Sequence, residues 1–147
     1  MDAIELHPVD DPLRRFISPA GWDVLGLFLT EVVFAAGEEV VSQGTQDQTL
    51  YFVESGTVSI HYADHNNKIR LAMVGAGSVI GEGGFFSGVA RNASVLASNE
   101  CTLWRLTSEG FAVLSQRQPA TALMLAMSLG AILAKRMLDL RQQSAVT

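Results

Sequence analysis

A single cysteine, Cys101, stands in this chain of 147 residues. A lone thiol forms no intrachain disulfide, and the N-terminus Met-Asp-Ala-Ile-Glu lacks the basic and apolar regions of a signal peptide, so a reducing cytoplasm is the expected setting. Basic charge is also scarce. With 10 Lys and Arg against 15 Asp and Glu the net charge is -5, which argues against non-specific nucleic-acid binding, since that needs clustered cations on the phosphates. Long apolar runs are missing too: the longest, Ala122 to Ala134, is broken by Ser128 and Gly130 and falls short of the ~20 residues of a membrane span. Only His7, His61 and His65 could supply imidazole ligands. His61 and His65 flank a turn-like stretch rather than lining one strand face, so no metal site is expected. No serine or cysteine nucleophile stands beside a histidine in a recognisable motif, and neither an enzyme nor a cofactor is expected.

What is present is concentrated between Gly81 and Ser94, which reads Gly-Glu-Gly-Gly-Phe-Phe-Ser-Gly-Val-Ala-Arg-Asn-Ala-Ser. Gly83 and Gly84 carry no Cβ to hold an anion away from their amides. A short helical turn at Phe85 and Phe86 would add free N–H groups at the same point. Arg91 supplies a full positive charge on a planar fork suited to two phosphate oxygens, and Glu82 can accept from a ribose hydroxyl. The segment therefore offers both halves of a nucleotide monophosphate site. A purely structural reading pairs Arg91 with Glu82, but one carboxylate would leave most of the five guanidinium donors without partners.

Around this segment the chain reads as one domain. Ser18 and Pro19 form an N-cap and N1 pair, and Trp22, Leu25, Phe28 and Leu29 recur at helical spacing, predicting a helix from Pro19 to Leu29 within a helical segment 1–30. Over 31–107 the period becomes two. Short runs at Val32 to Phe34, Glu39 to Ser42, Leu50 to Glu54, Thr57 to Tyr62, Lys68 to Val74, Ala93 to Ala97 and Cys101 to Leu106 are separated by Gly37, Gly44, Gly56, Gly77, Gly81 and Gly88, where turns need positive φ. Asp64 to Asn67 reads as a hairpin loop. Such a succession implies a mainly β fold, an antiparallel jelly roll (double-stranded β-helix) with flanking helices. In 108–147, Ser108 caps a short helix through Leu114, and Pro119 opens a long one reaching about Gln142.

This order, with Gly81-Glu82 and Arg91 at their spacing, closely resembles the cyclic nucleotide-binding domain of catabolite-activator-type regulators, cyclic-nucleotide-dependent kinases and gated channels. Gly37-Glu38-Glu39-Val40 with Gly44, and Leu50-Tyr51-Phe52-Val53 with Gly56, look like that family's early strands. The resemblance implies a phosphate-binding cassette over 81–94. In it Gly81 and Glu82 hold the ribose 2'-hydroxyl, while Arg91 and the amides near Gly83, Gly84, Asn92 and Ala93 hold the cyclic phosphate. It also implies a base-capping residue near Leu140 or Arg141. The chain departs from the family at Gly83 and Gly84, where a bulky apolar residue and Ala or Ser are usual. It departs again at Asn92, where the threonine typical of cGMP binders is absent, so cAMP is expected over cGMP.

The long helix carries two apolar stripes, Leu125, Leu129, Ile132 and Met137 on one side and Leu123, Met127, Ala131, Ala134 and Leu138 on the other. One faces the β-roll as a lid; the other fits the same helix in a second subunit, predicting a homodimer. Lys135, Arg136 and Arg141 read as a solvated face near the helix end. Catabolite-activator-type regulators continue into a helix-turn-helix domain, whereas this sequence ends at Thr147. The expectation is thus a cyclic nucleotide sensor whose cassette and terminal helix act on an unidentified effector protein, the alternative being a ligand-free scaffold for dimerisation or docking.

Overall fold

The computed structural model describes residues 11–146; the side chains of Asp11, Lys68, Leu71 and residues 140–146 lie outside the described set. Two helices, α1 (Asp11–Phe16) and α2 (Pro19–Gly26), precede eight strands. The strands are β1 (Thr30–Phe34), β2 (Glu39–Val41), β3 (Leu50–Ser55), β4 (Val58–Ala63), β5 (Lys68–Val74), β6 (Val79–Ile80), β7 (Ser94–Ala97) and β8 (Cys101–Leu106). A short helix, α3 (Glu82–Ser87), interrupts them, and α4 (Ser108–Arg117) and α5 (Pro119–Val146) follow. All described strand pairs are antiparallel, in two four-stranded sheets ordered β1-β8-β3-β6 and β2-β7-β4-β5. This is the expected jelly roll, with helices flanking it at both ends of the chain.

Alternation explains why the central strands of the first sheet, β3 and β8, are buried on both faces. Along β3, Leu50 and Phe52 belong to one apolar cluster while Tyr51 and Val53 belong to another; along β8, Trp104 and Leu106 are divided in the same way from Cys101 and Leu103. The outer cluster packs the sheet on the helices, where Trp22 meets Phe52 edge to face at 5.7 Å and Leu125, Leu129 and Ile132 of α5 close the layer. The inner cluster fills the roll with Val41, Val58 and Val95. Phe52 is fully buried, so truncation to alanine costs about 3–5 kcal/mol. Over Pro119–Asp139, α5 is long and apolar enough to cross a membrane by length and composition, which the broken apolar run did not suggest. Its buried face is nevertheless the one that closes this core.

All six glycines that the sequence placed at turns have positive φ, from 67° to 90°. Gly56 shows what this permits, since a Cβ there would lie 2.5 Å from the Glu100 carbonyl and 2.7 Å from Cys101 Sγ. Cys101 itself is buried and donates to the Thr57 carbonyl at 3.1 Å, as a small core residue. Several boundaries differ from expectation. Ser18 does cap α2 by accepting from the Gly21 amide at 3.1 Å, but that helix stops at Gly26, because the chain must turn at an exposed Leu27 to enter β1. The cap of α4 is Thr107, not Ser108, through a 3.0 Å bond from the Gly110 amide. Helix α1 and the two-residue β6 were not foreseen, the latter too short to show a period.

Candidate functional site

Gly81 follows β6 with φ of 88° and serves as N-cap of α3, while Gly88, φ 67°, closes its C-terminus. The cassette is thus a six-residue helix between two left-handed glycines, a path that residues with a Cβ resist. The first helical N–H groups have no intrahelical acceptor; the Phe85 amide is already bonded to the Gly81 carbonyl at 2.9 Å. Phe85 is buried and meets Phe111 of α4 edge to face at 5.3 Å, which ties the cassette to the C-terminal helices.

Arg91 folds back beneath this helix. Its side chain is 5% exposed, Nη1 donates to the Gly81 carbonyl at 2.8 Å and Nη2 to the Thr49 carbonyl at 2.5 Å, and Asp47 Oδ1 stands 3.7 Å from Nη2. Nε is buried and has no hydrogen-bond partner, an expensive state for a charged donor with no acceptor. The close approach depends on glycine: a Cβ on Gly84 would lie 2.5 Å from Nη1, whereas a Cβ on Gly83 would meet nothing within 4 Å. The two glycines therefore differ in role. Gly84 makes room for the guanidinium, and Gly83 is merely open.

Glu82 is buried, at 6% exposure, and its partner is not Arg91. Arg136 of α5 bonds its carboxylate through Nη1 and donates from Nη2 to the Val79 carbonyl at 3.3 Å. The reading of Arg136 as part of a solvated face is thus corrected, and the purely structural alternative that pairs Arg91 with Glu82 does not hold. Arg136 lies four residues beyond buried Ile132, in line with Leu125 and Leu129, and so on the inward face. That spacing was available in the sequence, but Met137 was assigned to the stripe instead; Met137 is 64% exposed.

A cavity of about 520 Å³ lies between the cassette, the inner face of the second sheet and α5, within the usual range for small-ligand sites. It gathers every binding residue assigned from the sequence, namely Gly81, Glu82, Gly83, Gly84, Arg91, Asn92 and Ala93. Asn92 is exposed and Ala93 half-buried. The base-capping residues proposed at Leu140 and Arg141 have side chains outside the described residues. Opposite the polar wall, Val41, Ile60, Val95 and Leu133 offer an apolar surface. One side can hold an anion and a hydroxyl; the other can cover a flat ring. The sequence reading missed Arg136, Asp47 and Thr49, and the last acts through its carbonyl, a role no side chain announces.

Comparison with known proteins agrees with this geometry. The model of the cyclic nucleotide-binding domain matches residues 31–118. Glutaminase 2 of Bradyrhizobium diazoefficiens is 33% identical over 104 residues, covering 71% of this chain and 16% of that protein. The cyclic AMP receptor protein of Thermus thermophilus is 29% identical over 127 residues, 86% of this chain and 57% of the relative. The crystal structure of the Thermus thermophilus catabolite activator protein superposes with a TM-score of 0.75 at 28% identity, over 90% of this chain and 63% of that one. The chain thus spans less than two thirds of each of these relatives. With cassette, cavity and jelly roll in place, it belongs to the cyclic nucleotide-binding domain family.

Proposed function

We propose that the chain is a cyclic nucleotide sensor, binding cAMP in preference to cGMP, whose cassette and α5 pass the bound state to a protein partner rather than performing catalysis. The observation that carries this is Arg91, a nearly buried cation with an unpartnered Nε on the wall of a cavity that also holds Glu82. A phosphate oxygen satisfies that donor, and the amides at Gly83 and Gly84 add to it. Glu82 accepts from the ribose hydroxyl, and its bond to Arg136 joins the ligand's position to the helix. Preference for cAMP is supported by the absence of threonine at Asn92 and by the name of the Thermus relative.

The exposed stripe Leu123, Met127 and Leu138, with Gly130 offering open space on the same helix, fits a second copy of α5 and supports a homodimer. A ligand-free scaffold is the rival reading, favoured by one fact: Glu82 already has a partner in Arg136. Titration calorimetry with cAMP and cGMP, using Arg91→Ala as control, decides between them. Binding tighter than about 100 μM that the substitution abolishes supports the sensor; no heat with either nucleotide leaves the scaffold.

A further inference from the structure

Strand β7 starts late beside the cassette, and a side chain fills the gap. In the antiparallel pair of β4 and β7, Ser59 stands opposite Leu96, Ile60 opposite Val95 and His61 opposite Ser94. The Ser98 amide donates to the Thr57 carbonyl at 2.9 Å, and hydrogen-bonded pairs alternate with non-bonded ones along such a ladder, so the bonded positions that follow on β4 are Ser59 and His61. The next is Ala63. Its partner in this register would be Asn92, but β7 begins only at Ser94.

Gln43 occupies that place. Its Nε2 donates to the Ala63 carbonyl and its Oε1 accepts from the Ala63 amide, both at 2.8 Å. A primary amide offers a donor and an acceptor side by side, as a strand residue does, so a side chain 20 positions away completes the ladder. The Gln43 backbone is fixed as well, its amide donating to Ser94 Oγ at 2.9 Å. Meanwhile the Arg91 carbonyl accepts from the Gly44 amide and the Arg91 amide donates to the Thr45 carbonyl, both at 2.7 Å, on the chain that continues β2. Asn92 and Ala93 are thus left between two strands and paired with neither. Among the described residues their amides have no protein acceptor, and both residues line the cavity.

We propose that Gln43 is a positioning residue of the nucleotide site: by filling the ladder place beside Ala63, its side-chain amide keeps the Asn92 peptide out of the sheet and available at the cavity. This rests on the cyclic nucleotide reading, in which the amides after Arg91 meet the phosphate. Without the Gln43 amide, β7 can extend by two residues. Asn92 then pairs with Ala63 through two backbone bonds, which replace those lost and withdraw its N–H from the cavity. Deleting a hydrogen-bonding group should therefore protect an amide that is unprotected in the parent, the opposite of what losing a purely structural contact brings.

The test uses Gln43→Met in the full chain, which keeps the length and apolar stem of the side chain and removes both hydrogen-bonding atoms. Amide exchange followed by NMR without nucleotide reads the ladder, and calorimetric titration with cAMP reads the site. Exchange at the Asn92 amide should slow at least about five-fold while the Ala63 amide stays protected, with a melting temperature close to the parent's. Binding of cAMP should weaken about ten-fold, as for the loss of one hydrogen bond to a charged group. An Asn92 amide that exchanges as fast as in the parent overturns the proposal, and so does cAMP affinity equal to the parent's. Loss of protection at Ala63 together with a lower melting temperature makes Gln43 a structural brace only and overturns it too. A parent that binds no nucleotide refutes the sensor reading instead. The displacement of Asn92 by Gln43 then stands or falls on the exchange rates, slower at Asn92 in Gln43→Met upholding it and unaltered rates overturning it.

Discussion

Alanine at Gly83 and at Gly84 should have opposite consequences, although the two residues are neighbours in one helix. Neither has positive φ, so helix propensity alone favours both substitutions by about 0.8–1 kcal/mol. At Gly83 nothing opposes the gain, since a Cβ meets no atom within 4 Å. At Gly84 the new methyl would stand 2.5 Å from Nη1, 2.9 Å from Cζ and 3.1 Å from Cδ of Arg91. The guanidinium must retreat by about 1 Å to regain van der Waals separation. It cannot do so freely, because the Gly81 and Thr49 carbonyls hold it; weakening such charge-assisted bonds costs about 1.5–3 kcal/mol. The net change in stability at Gly84 should thus be a loss of roughly 0.5–2 kcal/mol, against a gain of about 0.5–1 kcal/mol at Gly83. Cyclic nucleotide affinity should fall about ten-fold or more at Gly84, because the displaced Nε no longer meets the phosphate, and hold or improve at Gly83. Urea unfolding and calorimetric titration of both variants measure these quantities. A Gly84→Ala protein as stable as the parent that binds cAMP equally well would show that the buried pose of Arg91 is not the one used.

Arg136→Ala should lower stability by about 1–3 kcal/mol, since Glu82 is left buried without its cation; Glu82→Gln in the same background should recover part of the loss in a urea titration. Stability should also fall at alkaline pH. Burial pushes the Cys101 thiol above its ordinary 9.0, and burial, followed by the nearby Asp47 charge, pushes the Tyr51 hydroxyl above its ordinary 10.0. The folded chain therefore keeps protons that the unfolded chain releases, and this stabilisation is complete below about pH 9 and lost as pH rises through the folded values. A urea midpoint that rises between about pH 9 and 11 contradicts this, and Cys101→Ala should remove the earlier part of the decline. Met127→Glu, on the exposed stripe of α5, should convert a dimer to monomers in sedimentation with little change in melting temperature.

Much of this was legible in the chain because it is written in local chemistry. Positive φ left few options at Gly37, Gly44, Gly56, Gly77, Gly81 and Gly88, and the period-two runs located seven strands. The eighth, Val79–Ile80, is fixed by pairing with Tyr51 and Phe52 rather than by any pattern of its own. Site residues followed the same division. Glu82 and Arg91 carry their chemistry in side-chain type and spacing. Arg136 reaches Glu82 across 54 positions, and only the face it occupies on α5 gives it away. Thr49 contributes a carbonyl that any residue could supply, so its role exists only once the chain is folded.

Cys101 has a use beyond packing. Its thiol is fully shielded under Gly56, so a thiol reagent reaches it only when β8 separates from its surroundings. Its labelling rate is thus a clock for opening of the roll, read without altering the sequence. The same shielding leaves the folded protein silent toward maleimides, and a probe attached through a cysteine introduced on the cassette or on α5 would report from that one place.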